Sequence, residues 1–473
     1  MSKPLLVFRP AILLFAISLL WSAAFVSAQT ESTLSPQLRS GIDEIANQTL
    51  KSTGVPSASV AIVQDGKIAY VQAYGNARLQ PATPAASPMR YSIGSISKQF
   101  TATAIVMLAE EGKLSLDDPV SKYVSGLTDG DKVTIRQLLS HTSGYQDYWP
   151  QDYVPPMMLK PITADEIMDR WAKKALDFSP GSRWQYSNTN YVIAGVIVEK
   201  VSGMPLLQFL SQHVFTPLGM KSVADTNMNK LPATDPTGYF RYALGPLHPA
   251  PKEGRGWMFA AGELAMTASD LAKWDISLID ESLMKPASYR ELESEVRLNN
   301  GVGTQYALGM FVRNTSGHRT LSHGGEVSGF VSDNEVMPDD KLAVVVLTNQ
   351  DASEAAANIG QQAAALLLKA ANKQDPQADE LMRKVYDGLQ KGKIDRSLFT
   401  DNANAYFDDQ ALKDYGDSLG PLGAPDAFIA MRSSLRGGMY DRIYQVKYPK
   451  KTLLIIVYQM PDGKIEQFQI AEQ

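Results

Sequence analysis

The sequence predicts an α+β protein, with one antiparallel sheet covered by helices and a small separate α+β domain after it. Three observations carry this. Hairpin-like strand pairs stand near both ends of residues 35–370 with helix-forming runs between them, so the sheet is assembled from distant parts of the chain. A polar stretch, "NKQDPQADE", then interrupts the pattern as a linker over 371–380. Beyond it, residues 381–473 read as a helix leading into antiparallel strands. A chain of 473 residues also exceeds the ~250–300 at which single cores stop growing.

Taken in order, the first element is an address. Lys3 and Arg9 give a positive start, residues 11–26 an apolar core, and Val26, Ser27 and Ala28 a small-residue exit, which predicts a signal peptide over 1–28 cut after Ala28. The length of the apolar run favours an uncleaved anchor instead; the small-residue exit opposes it. No later stretch reaches the ~18 to 20 apolar residues of a span, so the mature chain is expected in the periplasm or secreted, without a stable membrane segment.

"SASVAIVQDGKIAYVQAYG" reads as two strands around Asp65-Gly66, a dipeptide suited to the positive φ angles of a tight turn. "SISKQFTATAIVMLAEEGK" predicts a helix from near Ser95 to a stop at Gly112. "DFSPGSRWQYSNTNYVIAGVIVEKVSG" runs from a Pro-Gly turn into a helix ending before Gly203, with Ser187, Asn188 and Thr189 available as caps. "GFVSDNEVMPDDKLAVVVLTNQ" gives a second hairpin around Pro338-Asp339-Asp340, and "SEAAANIGQQAAALLLKA" a strong helix. In the last domain Pro461-Asp462-Gly463 joins two strands.

Composition excludes several function classes. A net charge of −5 and a pI near 5.7 supply no basic field for phosphates, so nucleic acid is not an expected partner. The absence of cysteine excludes disulfides, thiolate catalysis, iron–sulfur clusters and a lipidated cysteine. The five histidines form no H-E-x-x-H pair, and neither a metal nor a cofactor is expected.

The chemistry lies in "YSIGSISKQF", residues 91–100, where Ser95 and Lys98 stand three apart. Such a pair faces the same side of a helix, so the lysine can activate a hydroxyl that is otherwise a poor nucleophile. The partial positive charge of a helix start favours the anionic form as well. The spacing alone is common, and Ser282–Lys285 repeats it. Order separates the two. Tyr186–Asn188 ("YSN") and then His323–Gly325 ("HGG") follow Ser95, whereas no Tyr-x-Asn follows Ser282, and Tyr74–Asn76 precedes both.

With these three motifs in this order, the chain resembles the penicillin-recognising serine hydrolases: class C β-lactamases, D-alanyl-D-alanine carboxypeptidases, D-aminopeptidases and esterases of the same fold. The resemblance covers residues 38–370 and includes "TIRQLLSHTSGY", "FSPGSRWQYSN" and "AAGELAMTASDLAKW". It implies a β-lactamase/transpeptidase-like sheet. It also implies that Ser95 is acylated, that Lys98 holds charge beside it and helps move its proton, and that Tyr186, its pKa lowered by cations, is general base and acid. Asn188 would bind the amide or ester side of the substrate. The oxyanion hole would use the backbone N–H of Ser95 and of the residue after Gly325, with Gly324 and Gly325 allowing close approach. His141 in "SHTSG" is expected to shape a turn beside the site.

One departure bears on substrate. Many members carry a Lys-Thr-Gly or Lys-Ser-Gly third motif whose cation engages a carboxylate; here His323 stands first. With an ordinary pKa near ~6.5 it is expected to gain charge only as pH falls toward ~6, favouring small esters over cephalosporins at neutral pH. Tyr145, Tyr148, Trp149 and Tyr153 form either an apolar cleft wall or part of the core. The last domain resembles a cystatin or nuclear-transport-factor (NTF2-like) sheet. The expected function is an extracytoplasmic serine hydrolase acting through an acyl-enzyme on a small-molecule or peptide (D-amino acid) or ester substrate. A β-lactamase and a silent penicillin-binding-like scaffold are the alternatives, and the oligomeric state is left open.

Overall fold

The structure is a computed structural model that describes residues 33–472 apart from 152, 316–317 and 372–375. The expected signal peptide lies outside the described residues. Seven strands form the main sheet: β1 (Ser57–Gln64), β2 (Lys67–Leu79), β3 (Ala82–Pro84), β4 (Phe311–Thr315), β5 (His318–Val327), β6 (Phe330–Met337) and β7 (Leu342–Thr348). Their order is β3-β2-β1-β7-β6-β5-β4, antiparallel throughout. Asp65 and Gly66 close the first hairpin with φ of 54° and 69°, as the dipeptide predicts. The two distant hairpins meet at β1 and β7, where Ala58 lies opposite Thr348 and Val63 opposite Ala343.

Five helices cover this sheet: α1 (Pro36–Thr53), α2 (Ser97–Glu110), α3 (Asn188–Ser202), α4 (Ala268–Asp280) and α5 (Ala355–Ala371). Alternation along the central strands assigns their side chains to two cores. Ala61, Val63, Val345 and Leu347 join the large core that holds α2, α3 and α4, while Val60, Ile62, Val344 and Val346 pack on α1 and α5. Both faces are therefore buried, which is why residues 60–63 of β1 and 342–347 of β7 read as continuous apolar runs. Each such valine or isoleucine contributes ~1.5–3 kcal/mol by leaving water.

The C-terminal residues form a second core. Helices α6 (Pro376–Leu389) and α7 (Asp409–Leu419) accompany the four-stranded antiparallel sheet β8 (Ala427–Arg436), β9 (Met439–Lys447), β10 (Thr452–Gln459) and β11 (Ile465–Glu472). Tyr386, Phe407, Tyr444 and Ile455 are at its centre. Helix α7 and the short helix Asp401–Tyr406 were not foreseen from sequence. Both are short and polar on average and start at side-chain caps, from Asp408 and Thr400. Among the described residues, no single helix is long and apolar enough to cross a membrane.

Candidate active site

Ser95 lies in a 3₁₀ turn, Gly94–Ile96, which leads into α2; Lys98 is the second residue of that helix. The helix thus begins two residues later than Ser95 itself. The Lys98 side chain is fully buried, and its Nζ is 2.9 Å from Ser95 Oγ, 2.8 Å from Asn188 Oδ1 and 2.8 Å from the carbonyl of Ala261. Tyr186 shares a hydrogen bond with Ser95, and Lys98 Nζ lies 4.9 Å from the centre of its ring. The structure therefore gathers Ser95, Lys98, Tyr186 and Asn188 at one point. Ser282 and Lys285 lie elsewhere and are exposed, with Lys285 Nζ 3.7 Å from Glu110. Tyr74 donates to Asp43 on the opposite face of the sheet.

Asn188 opens α3 and does not cap it. Its backbone N–H donates to Asp147 Oδ1 at 2.9 Å, and its side-chain Nδ2 donates to both carboxylate oxygens at 3.2 and 3.3 Å. That pairing turns its Oδ1 toward Lys98. Ser187, at the cap position, makes no side-chain cap bond; its N–H donates to His141 Nδ1. His141 is buried with its ring 4.2 Å from that of Tyr186, so the turn it shapes is the floor under the phenol.

The third motif lies on β5. Because β4 pairs with β5 only through Ser322, residues 323–327 form an open edge facing the turn that holds Ser95. The approach is backbone to backbone. A Cβ on Gly325 would lie 1.9 Å from the carbonyl of Ile93, and one on Gly94, whose φ is +51°, would lie 2.8 Å from the amide nitrogen of Glu326. This brings the amides of Ser95 and Glu326 to the same cleft. The cleft has a volume of about 960 Å³ and is lined by Ser95, Tyr186, Asn188, His323 and Gly325, with Asp147, Glu326, Asp351 and Glu354 among its other walls. The aromatic loop divides between its two readings: Tyr145 is buried in the core, Tyr148 is buried yet lines the cleft, and Trp149 and Tyr153 line it too, with Tyr153 67% exposed.

The electrostatics correct two expectations. Burial lowers the Lys98 pKa to about 7, with the negative charge of Asp147 opposing. Burial likewise raises the Tyr186 phenol rather than lowering it, against the hydrogen bond from Ser95, so it is a neutral phenol at ordinary pH. His323 is 3% exposed, and burial followed by the charge of Lys98 brings it down to about 3. It stays neutral from pH 6 to 8 and cannot supply the expected charge. Its nitrogens are also occupied, Nε2 at 2.9 Å from the Tyr306 hydroxyl and Nδ1 at 2.5 Å from the Gly324 carbonyl.

Sequence reasoning missed three participants. Asp147 stands in a stretch read only for its aromatic rings, at no regular spacing from the "YSN" motif it supports. Ala261 acts through its carbonyl, which no side chain advertises. Tyr306 is one of 20 tyrosines, and nothing local sets it apart. Among the described residues, no cluster of His, Asp or Glu could hold a metal ion.

Comparison with known proteins agrees with this geometry. The chain is 29% identical over 313 residues to penicillin-binding protein 4* of Bacillus subtilis (strain 168), covering 62% of this chain and 68% of the relative. It is 30% identical over 305 residues to a D-aminopeptidase of Brucella anthropi, covering 62% of this chain and 56% of that enzyme. The crystal structure of a D-stereospecific amidohydrolase from Streptomyces sp. superposes with a TM-score of 0.59 at 27% identity, over 68% of this chain and 96% of the other. The description of the Beta-lactamase family matches residues 42–369, the stretch that holds all seven strands of the main sheet and all three motifs, and the chain belongs to that family.

Proposed function

We propose that the protein is an extracytoplasmic serine hydrolase that acts through an acyl-enzyme on amide or ester substrates of the D-amino-acid type. The observation that carries this reading is the buried Lys98 amine, 2.9 Å from a serine hydroxyl that opens onto a large cleft. The Ala261 carbonyl can only accept hydrogen bonds, and so can Asn188 Oδ1, so a neutral Lys98 spends its two N–H groups on them. Its lone pair then faces Ser95. With a pKa near 7, Lys98 is the group in the site suited to take the serine proton.

Ser95 Oγ then attacks the substrate carbonyl carbon as its proton passes to Lys98. The carbonyl π pair moves to oxygen, and the amides of Ser95 and Glu326 are assigned to that oxyanion. Collapse breaks the bond to the leaving amine or alcohol, which takes a proton from the acids beside it, the Lys98 ammonium or the Tyr186 phenol. Water attacks the ester on Ser95 in a second round of the same transfers, which frees the acid and the serine. The names of the D-aminopeptidase and D-stereospecific relatives support the D-amino-acid class. Residues 1–28 support export.

A fluorophosphonate probe should label the wild-type protein and leave Ser95→Ala unlabelled, with turnover of p-nitrophenyl esters and D-amino-acid amides lost in the same variant. Labelling that persists in Ser95→Ala would sink the mechanism. Export is checked by sequencing the N-terminus of protein recovered from outside the cytoplasm, which should begin at Gln29.

A further inference from the structure

The ring of His323 is held from both sides, and the chemistry of its partners decides where its proton sits. The Gly324 carbonyl oxygen, 2.5 Å from Nδ1, can only accept. Nδ1 therefore carries the hydrogen. A neutral imidazole has one N–H, so Nε2 is an acceptor and the Tyr306 hydroxyl, 2.9 Å away, is its donor. The reverse assignment would set two lone pairs against each other at Nδ1. Burial, which keeps the ring neutral, supports the same conclusion.

The Gly324 carbonyl matters because of where it points. Val327 and Phe330 close a two-residue turn, and hydrogen bonding alternates along an antiparallel pair. Residues 323, 325 and 327 therefore bond to β6, while 324 and 326 direct their backbone groups to the opposite edge. β4 has already ended there, so that edge forms a wall of the cleft. The His323 ring takes up the Gly324 carbonyl one peptide before the Glu326 amide.

Tyr306 is well placed to hold this ring still. It is fully buried, edge-on to Phe311 at 4.8 Å, and 4.9 Å from His141, whose ring also lies against that of Tyr186. Its loop is pinned beneath α2, since a Cβ on Gly309, at φ +86°, would lie 2.9 Å from the Lys98 carbonyl. The hydroxyl thus has a fixed origin on the same packed layer as the nucleophile helix.

We propose that Tyr306 is a positioning residue: its hydroxyl donates to Nε2 of the Nδ1–H tautomer and anchors the His323 ring, and that ring holds the Gly324 peptide, and through it the Glu326 amide, in place at the cleft edge. The kinetic consequence rests on the serine-hydrolase reading; the tautomer does not. Tyr306→Phe removes a single oxygen and keeps the ring packing. In protein labelled with ¹⁵N-histidine, with the His323 signals assigned by their loss in His323→Gln, wild type should show a pyrrole-type Nδ1 and a pyridine-type Nε2. Tyr306→Phe should keep the Nδ1–H and shift the Nε2 signal downfield, as a pyridine-type nitrogen does when it loses its hydrogen-bond donor. Loss of one buried hydrogen bond should lower kcat on a p-nitrophenyl ester about tenfold, with KM changed less than about twofold. A pyrrole-type Nε2 in wild type would overturn the proposal, as would a Tyr306→Phe protein with the wild-type Nε2 signal and wild-type kcat. If Tyr306→Phe fails to fold, the wild-type spectrum alone decides. If the fluorophosphonate fails to label wild-type Ser95, the hydrolase reading falls while the tautomer measurement still tests the clamp.

Discussion

At the scale of single residues, the site is governed by one lysine that the fold holds close to neutrality. Lys98 is fully buried, so its ammonium loses water and is held by three acceptors, the faces of nearby tyrosine rings and the carboxylate of Asp147. This assigns the acidic limb of the rate profile. Lys98 must lose its proton to act as a base, so kcat/KM should rise with pH through an apparent pKa of about 7. Asp147 raises that pKa by its charge, so Asp147→Asn should move the limb to lower pH. The amide can still accept from the backbone N–H groups of Asn188 and Trp149, which leaves the loop in place. A limb unchanged or moved upward in a folded Asp147→Asn protein would show that another group titrates there. Ser95 and Lys98 were legible because both belong to one turn of chain. Asp147 was not, because it reaches Asn188 across 41 residues of sequence.

At the scale of elements, catalysis depends on how closely β5 approaches the turn that opens α2. Two glycines set that distance, and their neighbour does not. At Gly325 an added Cβ would meet the Ile93 carbonyl at 1.9 Å, whereas at Gly324 the nearest atom, the Ser332 carbonyl, is 3.7 Å away. Gly325→Ala should therefore force strand and turn apart and lower kcat/KM about 10²-fold or more, comparable to losing one oxyanion donor. Gly324→Ala should stay folded and retain activity within about tenfold, because its contact is ordinary van der Waals distance. Equal losses in the two variants would mean that the backbone approach is not what the glycines serve. A buried network anchors the same helix from behind. Trp274 Nε1 donates to Gln99 Oε1 at 2.6 Å, and Gln99 Nε2 donates to Asn334 Oδ1 at 3.3 Å, tying α2 to α4 and β6. The motif "HGG" was legible as a place of close approach; which glycine is indispensable was decided by the partner strand.

At the scale of the molecule, the charge of the cleft replaces the charge once expected of His323. Its walls carry Asp147, Glu326, Asp351 and Glu354, and among the described lining residues there is no lysine or arginine. A carboxylate on the substrate meets a field of its own sign, and an ammonium meets the opposite one. Of two esters matched in size, the cationic one should be hydrolysed with the higher kcat/KM at low ionic strength. The ratio should fall toward unity as salt rises to 1 M, where screening shortens to about 3 Å. A preference for the anionic ester that persists at low salt would refute this account. His323→Lys should not improve carboxylate binding, since the new ammonium would enter a buried position shaped for a neutral ring between Tyr306 and Gly324.

The sequence by itself determined the hairpin strands β1, β2, β6 and β7, the helices α2, α3 and α5, the C-terminal helix with its antiparallel strands, and the pairing of Ser95 with Lys98, whereas α1, α4, β3 and β4 came only with the structure. The former follow from local pattern: alternation and turn residues around Asp65-Gly66, helix formers after Ser95, and motifs whose order is written along the chain. Only the tertiary structure decided the protonation of the site and the partners that hold it. A pKa depends on water excluded by residues far away in sequence, which is why Lys98 fell toward neutrality, Tyr186 rose and His323 ceased to be a switch. For the same reason Asp147, the Ala261 carbonyl and Tyr306 became visible only once packing had brought them beside groups that their own segments do not mention.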